Sequence, residues 1–187
     1  MSDDPMLDST INEPSMTAGD IELLLFALER SRAQFAWKCG ALDAAGLHQP
    51  CPPSRMTMAG LIKHLALVED SYTAEFVTGE PMGAPWDGVE GMSVWEWGWR
   101  SAADDTPEEL YALWSAAVDR SRAAWRRVLA EGDLDQPSAY TTSEGESPNL
   151  RRPLVDLHDE YARHVGHADL LREAVDGLVG EDPPQPS

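Results

Sequence analysis

Glu160, His164 and His167 fall within eight residues, in the stretch EYARHVGHAD, of a chain that holds five histidines in 187 residues. Carboxylates and imidazoles are the ordinary ligands of zinc and related divalent metals. At about 100° per residue, Glu160 and His164 stand one helical turn apart on the same side, a spacing at which two side chains share one ion. Leu157, Tyr161, Ala168 and Leu171 surround them in the helical pattern, so that side faces inward. Burying a carboxylate and an imidazole without partners is costly, and a cation compensates both. His167 lies three residues past His164 and also reaches the inward side. Glu160 and His167 are separated by about 10 Å along the axis, too far for one small ion to take both easily. Two pairs therefore stay open: Glu160 with His164, or His164 with His167.

A further ligand must come from another helix. His64, in LIKHLALVE, follows Leu61 and precedes Leu65 and Val68 on an apolar face. A lone histidine there is more often a hydrogen-bonded core residue than a ligand. Opposite an independent pair of metal-ligand type it becomes the completing one. His48 sits in a loop and His158 leans off the inner face, so both are weaker candidates. Three protein ligands leave coordination positions open, the pattern of a catalytic site. Such a set suits one divalent metal ion, zinc first, with nickel or iron as alternatives. In the first of the two pairings His167 stays outside the ligand set, placed to move a proton beside it. Its plainer reading is an imidazole hydrogen-bonded to a neighbour. Other chemistries fare worse. GDLDQP and TGEPMG lack the lysine and helix of a phosphate loop, no Cys-x-x-Cys exists, and no Glu-x-x-His pattern supports a di-iron site.

Four long amphipathic helices are expected to position these residues. The first spans residues 18–39, with Thr17 as cap and Ile21, Leu24, Leu25, Leu28 and Phe35 as its stripe. The second spans 58–77, capped by Thr57 and stopped by Gly79 and Pro81. The third spans 107–130 and opens on TPEE, where Thr106 and Glu109 make a capping box and Pro107 takes the first helical position. The fourth begins at Leu150 or Pro153, with Asn149 as a cap, and runs to Val175 before Gly177. Four such helices make an all-α four-helix bundle. The connection over residues 78–105 is long for a helix–helix loop and carries Trp86, Trp95, Trp97 and Trp99. These rings must fold back over the bundle. Trp95, Trp97 and Trp99 are candidates for the wall of a ligand pocket, or for a subunit contact in a homodimer.

Residues 1–16 and 180–187 lack a periodic apolar face and read as disordered tails on one domain over residues 17–179. The net charge of −19 disfavours nucleic acid and anionic membrane surfaces. MSDDPMLDSTINEPS has neither a basic nor an apolar segment of a signal peptide, and no run approaches a membrane span. Two cysteines, Cys39 and Cys51, are too few for a secreted disulfide scaffold. A reducing cytoplasm is the expected home.

The stretches PSRMTMAGLIKHLALVEDSY and DEYARHVGHADLLREAVDG resemble the DinB/YfiT-like superfamily, in its actinobacterial branch of mycothiol-dependent enzymes. The resemblance spans about Ile21 to Gly177. Much of that superfamily carries His-x-x-x-His followed by Arg-Gly-Gln. Glu160 and His164 fit the two ligand positions of this frame, and His167 falls where glutamine is usual. The Glu-x-x-x-His form is similar to the mycothiol-dependent maleylpyruvate isomerase group. The resemblance implies a four-helix bundle with one divalent metal on His64, Glu160 and His164. It also implies a low-molecular-weight thiol such as mycothiol as cosubstrate, for S-transfer to, or isomerisation of, a small electrophile. The alternative class is a non-catalytic bundle, stabilised by metal, that binds a small ligand or partner. A closed site with a fourth protein ligand would mark that class.

Overall fold

Thr106 opens a long amphipathic helix as the sequence requires: its hydroxyl accepts from the Glu109 amide, and the Glu109 carboxylate accepts from the Thr106 amide. The computed structural model describes residues 7–185. Its elements in chain order are α1 (Asp20–Cys39), α2 (Ala44–His48), α3 (Met58–Tyr72), α4 (Val94–Ser101), α5 (Pro107–Glu131) and α6 (Arg151–Asp176). A π-helical turn, Thr73–Thr78, continues α3, and a short 3-10 turn covers Trp86–Gly88. The chain is all-α, with no strand among the described residues. None of these helices is long and apolar enough to cross a membrane.

The four long helices coincide with the expected ones, with shifts at their ends. α1 starts at Asp20, and no side chain caps it, so Thr17 does not act as its cap. α3 keeps its Thr57 cap but leaves α-helical geometry after Tyr72, and its π-helical extension stops at Gly79 in the left-handed region. α6 starts at Arg151, where the Asn149 side chain accepts from the Arg152 amide. It ends at Gly177, whose φ of 79° suits glycine. The connection over 78–105 is less of a loop than its length suggested, because Ser93 caps α4 within it.

α1 packs on α6, α3 on both α5 and α6, and α4 on α3. Leu28, Phe35, Leu61, Leu65, Leu110, Leu154 and Leu157 form the centre of the core. Phe35 meets Trp114 and Tyr161 at ring separations of 5.5 and 6.2 Å, and Trp114 donates to the Tyr161 hydroxyl. One charged pair is buried with them. Arg32 of α1 grips Glu69 of α3 through two hydrogen bonds of 2.7 and 2.6 Å and also reaches Ser121 of α5. This fork ties three helices together at one level.

The expected tails overlap this description only in part, since residues 1–6 and 186–187 lie outside it. Within it, Leu7 packs against the core, Asp182 pairs with Arg30, and the Ile11 amide donates to Gln185.

Candidate metal centre

His64 points from the middle of α3 toward α6, and three donor atoms meet there. His64 Nε2 lies 3.1 Å from His164 Nε2 and 3.8 Å from Glu160 Oε2, and His164 Nε2 lies 3.5 Å from that same oxygen. Two bonds of 2.0–2.1 Å at a tetrahedral angle span an edge of about 3.3 Å. The three separations bracket that edge. The donor set therefore fits one divalent ion. It consists of two neutral imidazoles and one carboxylate, all within 4.8 Å of one another. Glu160 and His164 are one turn apart on α6, and the crossing of α3 over α6 supplies His64.

Without a cation the arrangement is poorly satisfied. Among the described residues His64 Nδ1 is buried with no hydrogen-bond partner, and an ion on Nε2 would leave it so. Its other nitrogen faces a second imidazole rather than a strong acceptor. Burial lowers the pKa of His64 to about 4. Burial, followed by the proximity of His64, lowers that of His164 to about 4, against the pull of Glu160. Both rings hold free lone pairs at neutral pH, the form a metal requires.

These shifts carry a sign that can be measured. In the unfolded chain both rings take protons from about pH 6.5 downward. In the folded chain they do so only near pH 4. Between these values the unfolded state binds more protons, so stability falls as pH falls from 6.5 to 4. Scanning calorimetry of metal-free protein should show the unfolding temperature dropping across this window. The double variant His64→Gln, His164→Gln should drop less over the same interval. Equal slopes would show that the two rings are not held neutral by the fold.

His167 is not in the donor set. Its Nδ1 lies 3.2 Å from Nδ1 of His164, on the far side of that ring. If His164 offers Nε2 to an ion, its Nδ1 carries the proton and His167 accepts it. His167 then fixes the tautomer and tilt of a ligand. His158 and His48 stay outside the centre, and His48 spans the carbonyls of Ala44 and Ala102.

The three tryptophans divide between two faces of α4. Trp95 and Trp99 are one turn apart and turn toward His64, with ring separations of 6.0 and 5.0 Å. Trp99 is nearly parallel to the imidazole, at 20°. Trp97, two residues from each, points the other way. It packs on Trp86 and under the Lys63 ammonium, which is itself paired with Asp105. Gly60 makes the close approach of α4 feasible, since a Cβ there would sit 2.6 Å from the Trp99 ring. Sequence reading missed Lys63 as a structural element. It is buried, and from the residue next to His64 it holds Trp97 of α4 through its ammonium and Asp105 just beyond that helix.

The chain's own thiols do not join the centre. Cys39 is buried, donates to the Ala36 carbonyl, and has its pKa pushed up by burial. Cys51 is half-buried in a loop and is not among the clustered donors. Among the described residues the site thus presents three candidate donor atoms and an aromatic wall, and neither cysteine joins it.

No curated protein matches the chain. Residues 23–177, which hold α3, α4, α5, α6 and all three donors, match the family model described as mycothiol-S-transferase. That match spans most of the 187 residues and agrees with the DinB-like resemblance of the ligand frame, and the chain belongs to the mycothiol-S-transferase family.

Proposed function

We propose that this protein is a metal-dependent S-transferase that joins the sulfur of mycothiol, or a closely similar thiol, to a small electrophile in a reducing cytoplasm. The observation that carries the reading is the convergence of His64, Glu160 and His164 on one point beside an aromatic wall. A divalent cation, zinc first, supplies stabilisation of thiolate over thiol at neutral pH. The protein's residues do the rest. His64 and His164 hold neutral lone pairs, and Glu160 offsets part of a cation's charge. His167 keeps His164 in the ligating tautomer. Trp95 and Trp99 give a flat apolar face on which a small electrophile can lie. In the transfer the thiol proton leaves to solvent, a sulfur–carbon bond forms, and the electrophile's leaving group departs with its electron pair.

S-transfer is favoured over a non-catalytic, metal-stabilised bundle by the ligand count. Among the described residues the cluster comprises three donors, and neither His167 nor a cysteine closes it. The test is conjugation of mycothiol to an aromatic electrophile such as 1-chloro-2,4-dinitrobenzene. Zinc-loaded protein should accelerate it, chelated protein should not, and re-addition of zinc should restore it. Equal rates with and without chelator would defeat the metal-dependent reading.

A further inference from the structure

α6 packs on α1 and on α3, and α3 packs on α5, so the side of the bundle between α1 and α5 lies across from the seam that carries the donors. The two helices run antiparallel there, with Tyr111 bonded to the Cys39 carbonyl at one level and Arg122 to Glu29 at another. At that second level side chains close the seam. Arg122 donates to both oxygens of Glu29, and Arg32 holds the same carboxylate while it grips Glu69. Toward the start of α1 and the end of α5 the seam opens into a cleft of about 720 Å³. Its floor is apolar, made by Ile21, Leu25 and Leu28 of α1 and by Trp125 and Leu129 of α5. A cleft of this volume and lining has the dimensions of a small-molecule site.

The polar groups around that floor are unbalanced. The acceptors are in use, since Glu29 takes two guanidiniums and Asp119 takes Arg122. Two donors are not. Trp125 is buried, and its Nε1 has no hydrogen-bond partner. Orphaned buried donors are rare in folded proteins, and an acceptor brought by a ligand would relieve this one. Arg126, the next residue, lines the exposed rim of the same cleft. Its Nε donates to the Arg122 carbonyl, and among the described residues no carboxylate pairs with its guanidinium. That holds in a chain with 33 acidic side chains against 14 basic ones.

We propose that this cleft binds an amphipathic monoanion, with an apolar body on the floor and a single carboxylate head at Arg126. Each part of the ligand answers a part of the cleft. The aliphatic side chains select the body, and the two spare donors select a head that only accepts. Glu29 and Asp119 at the rim, with the net charge of −19, disfavour a second negative charge on the head. Ile21 and Leu28 are seven residues apart, about 10 Å along α1, a span that suits a medium-length alkyl chain. None of the three metal-donor residues stands on α1 or α5, so this binding needs no ion.

Titration calorimetry of zinc-loaded protein with decanoate tests the proposal. Acetate supplies the head without the body, and decyltrimethylammonium supplies the body with the opposite charge. Decanoate should bind saturably at one per chain, and both controls at least about tenfold more weakly. Arg126→Ala should weaken decanoate by about three- to tenfold, the worth of one charge-assisted contact at a rim, and should leave thiol conjugation unchanged. Trp125→Phe keeps an apolar ring and removes Nε1, and should weaken decanoate by about threefold. Chelator should leave the decanoate affinity where it was. Absence of saturable binding, equal affinity for decyltrimethylammonium, or an affinity that ignores both substitutions would overturn the proposal. Decanoate binding that disappears with chelator would also overturn it, because the carboxylate would then sit on the metal. All four adverse results leave the metal-dependent S-transferase reading standing.

Discussion

His64→Ala and His164→Ala each reduce kcat/KM for thiol conjugation by more than about 100-fold. Loss of a residue that merely orients a metal ligand costs about 10–100-fold in affinity or activity, and loss of a ligand itself costs more. Either substitution leaves two donors where an open catalytic site keeps three. The two variants should fail alike despite residing on different helices, because each supplies one of a pair of Nε2 atoms 3.1 Å apart. Trp99 provides the contrast. It stacks on His64 without offering a donor atom, so Trp99→Leu should act mainly on KM for an aromatic electrophile. Steady-state kinetics at saturating zinc decide the matter. Retention of more than about a tenth of wild-type kcat/KM in either histidine variant would contradict a role as ligand.

Glu69→Ala destabilises the fold by about 3–5 kcal/mol, the usual cost of leaving half of a buried ion pair unpaired. The carboxylate is 0% exposed and its partner Arg32 2% exposed, so water cannot reach the guanidinium that the substitution strands. Glu29 and Ser121 would still touch Arg32, and their hydrogen bonds keep the loss from being larger. The pair lies behind the core ring of Tyr161, the neighbour of Glu160 in sequence, with Arg32 5.9 Å from the centre of that ring. Glu69→Ala should therefore lower stability while leaving zinc stoichiometry intact under native conditions. The double substitution Arg32→Met, Glu69→Leu should recover much of the loss, since an apolar pair of similar volume avoids the desolvation cost. Urea denaturation measures both. A Glu69→Ala change below about 1 kcal/mol would mean that the charge is solvated after all.

The donor pair on α6 was legible because helical geometry makes i and i+4 neighbours, and because Leu157, Tyr161 and Leu171 mark which way that side faces. His64 was legible for the same reason, between Leu61 and Leu65. The capping box at Thr106 fixed the start of α5 to the residue. Other features depend on partners distant in sequence. α4 was hidden because Trp95, Trp97 and Trp99 alternate around Gly98 in eight residues, too short a run to display a helical period. Arg32, Lys63 and Glu69 are charged types that are mostly solvated, and they are buried here by the packing of α4 and α5 on α3 and by the reach of Arg32 from α1 to Glu69. The choice between Glu160 and His167 was also unreadable from spacing alone. Both flank His164 at distances a helix permits, and the position of α3 decides which of them shares a point with His64.

Zinc content of purified variants tests the account most directly. Wild-type protein, Glu160→Ala and His167→Ala would be loaded with zinc, freed of excess by gel filtration and measured by atomic emission. Glu160 Oε2 belongs to the three converging donors, whereas His167 touches only the back of the His164 ring. The account predicts about one zinc per chain in wild type and most of it retained in His167→Ala, with affinity weakened by about 10-fold through loss of the orienting contact. It predicts little or none in Glu160→Ala. Full zinc in Glu160→Ala together with its loss in His167→Ala would contradict it, and would place a three-histidine centre where His64, Glu160 and His164 are now assigned.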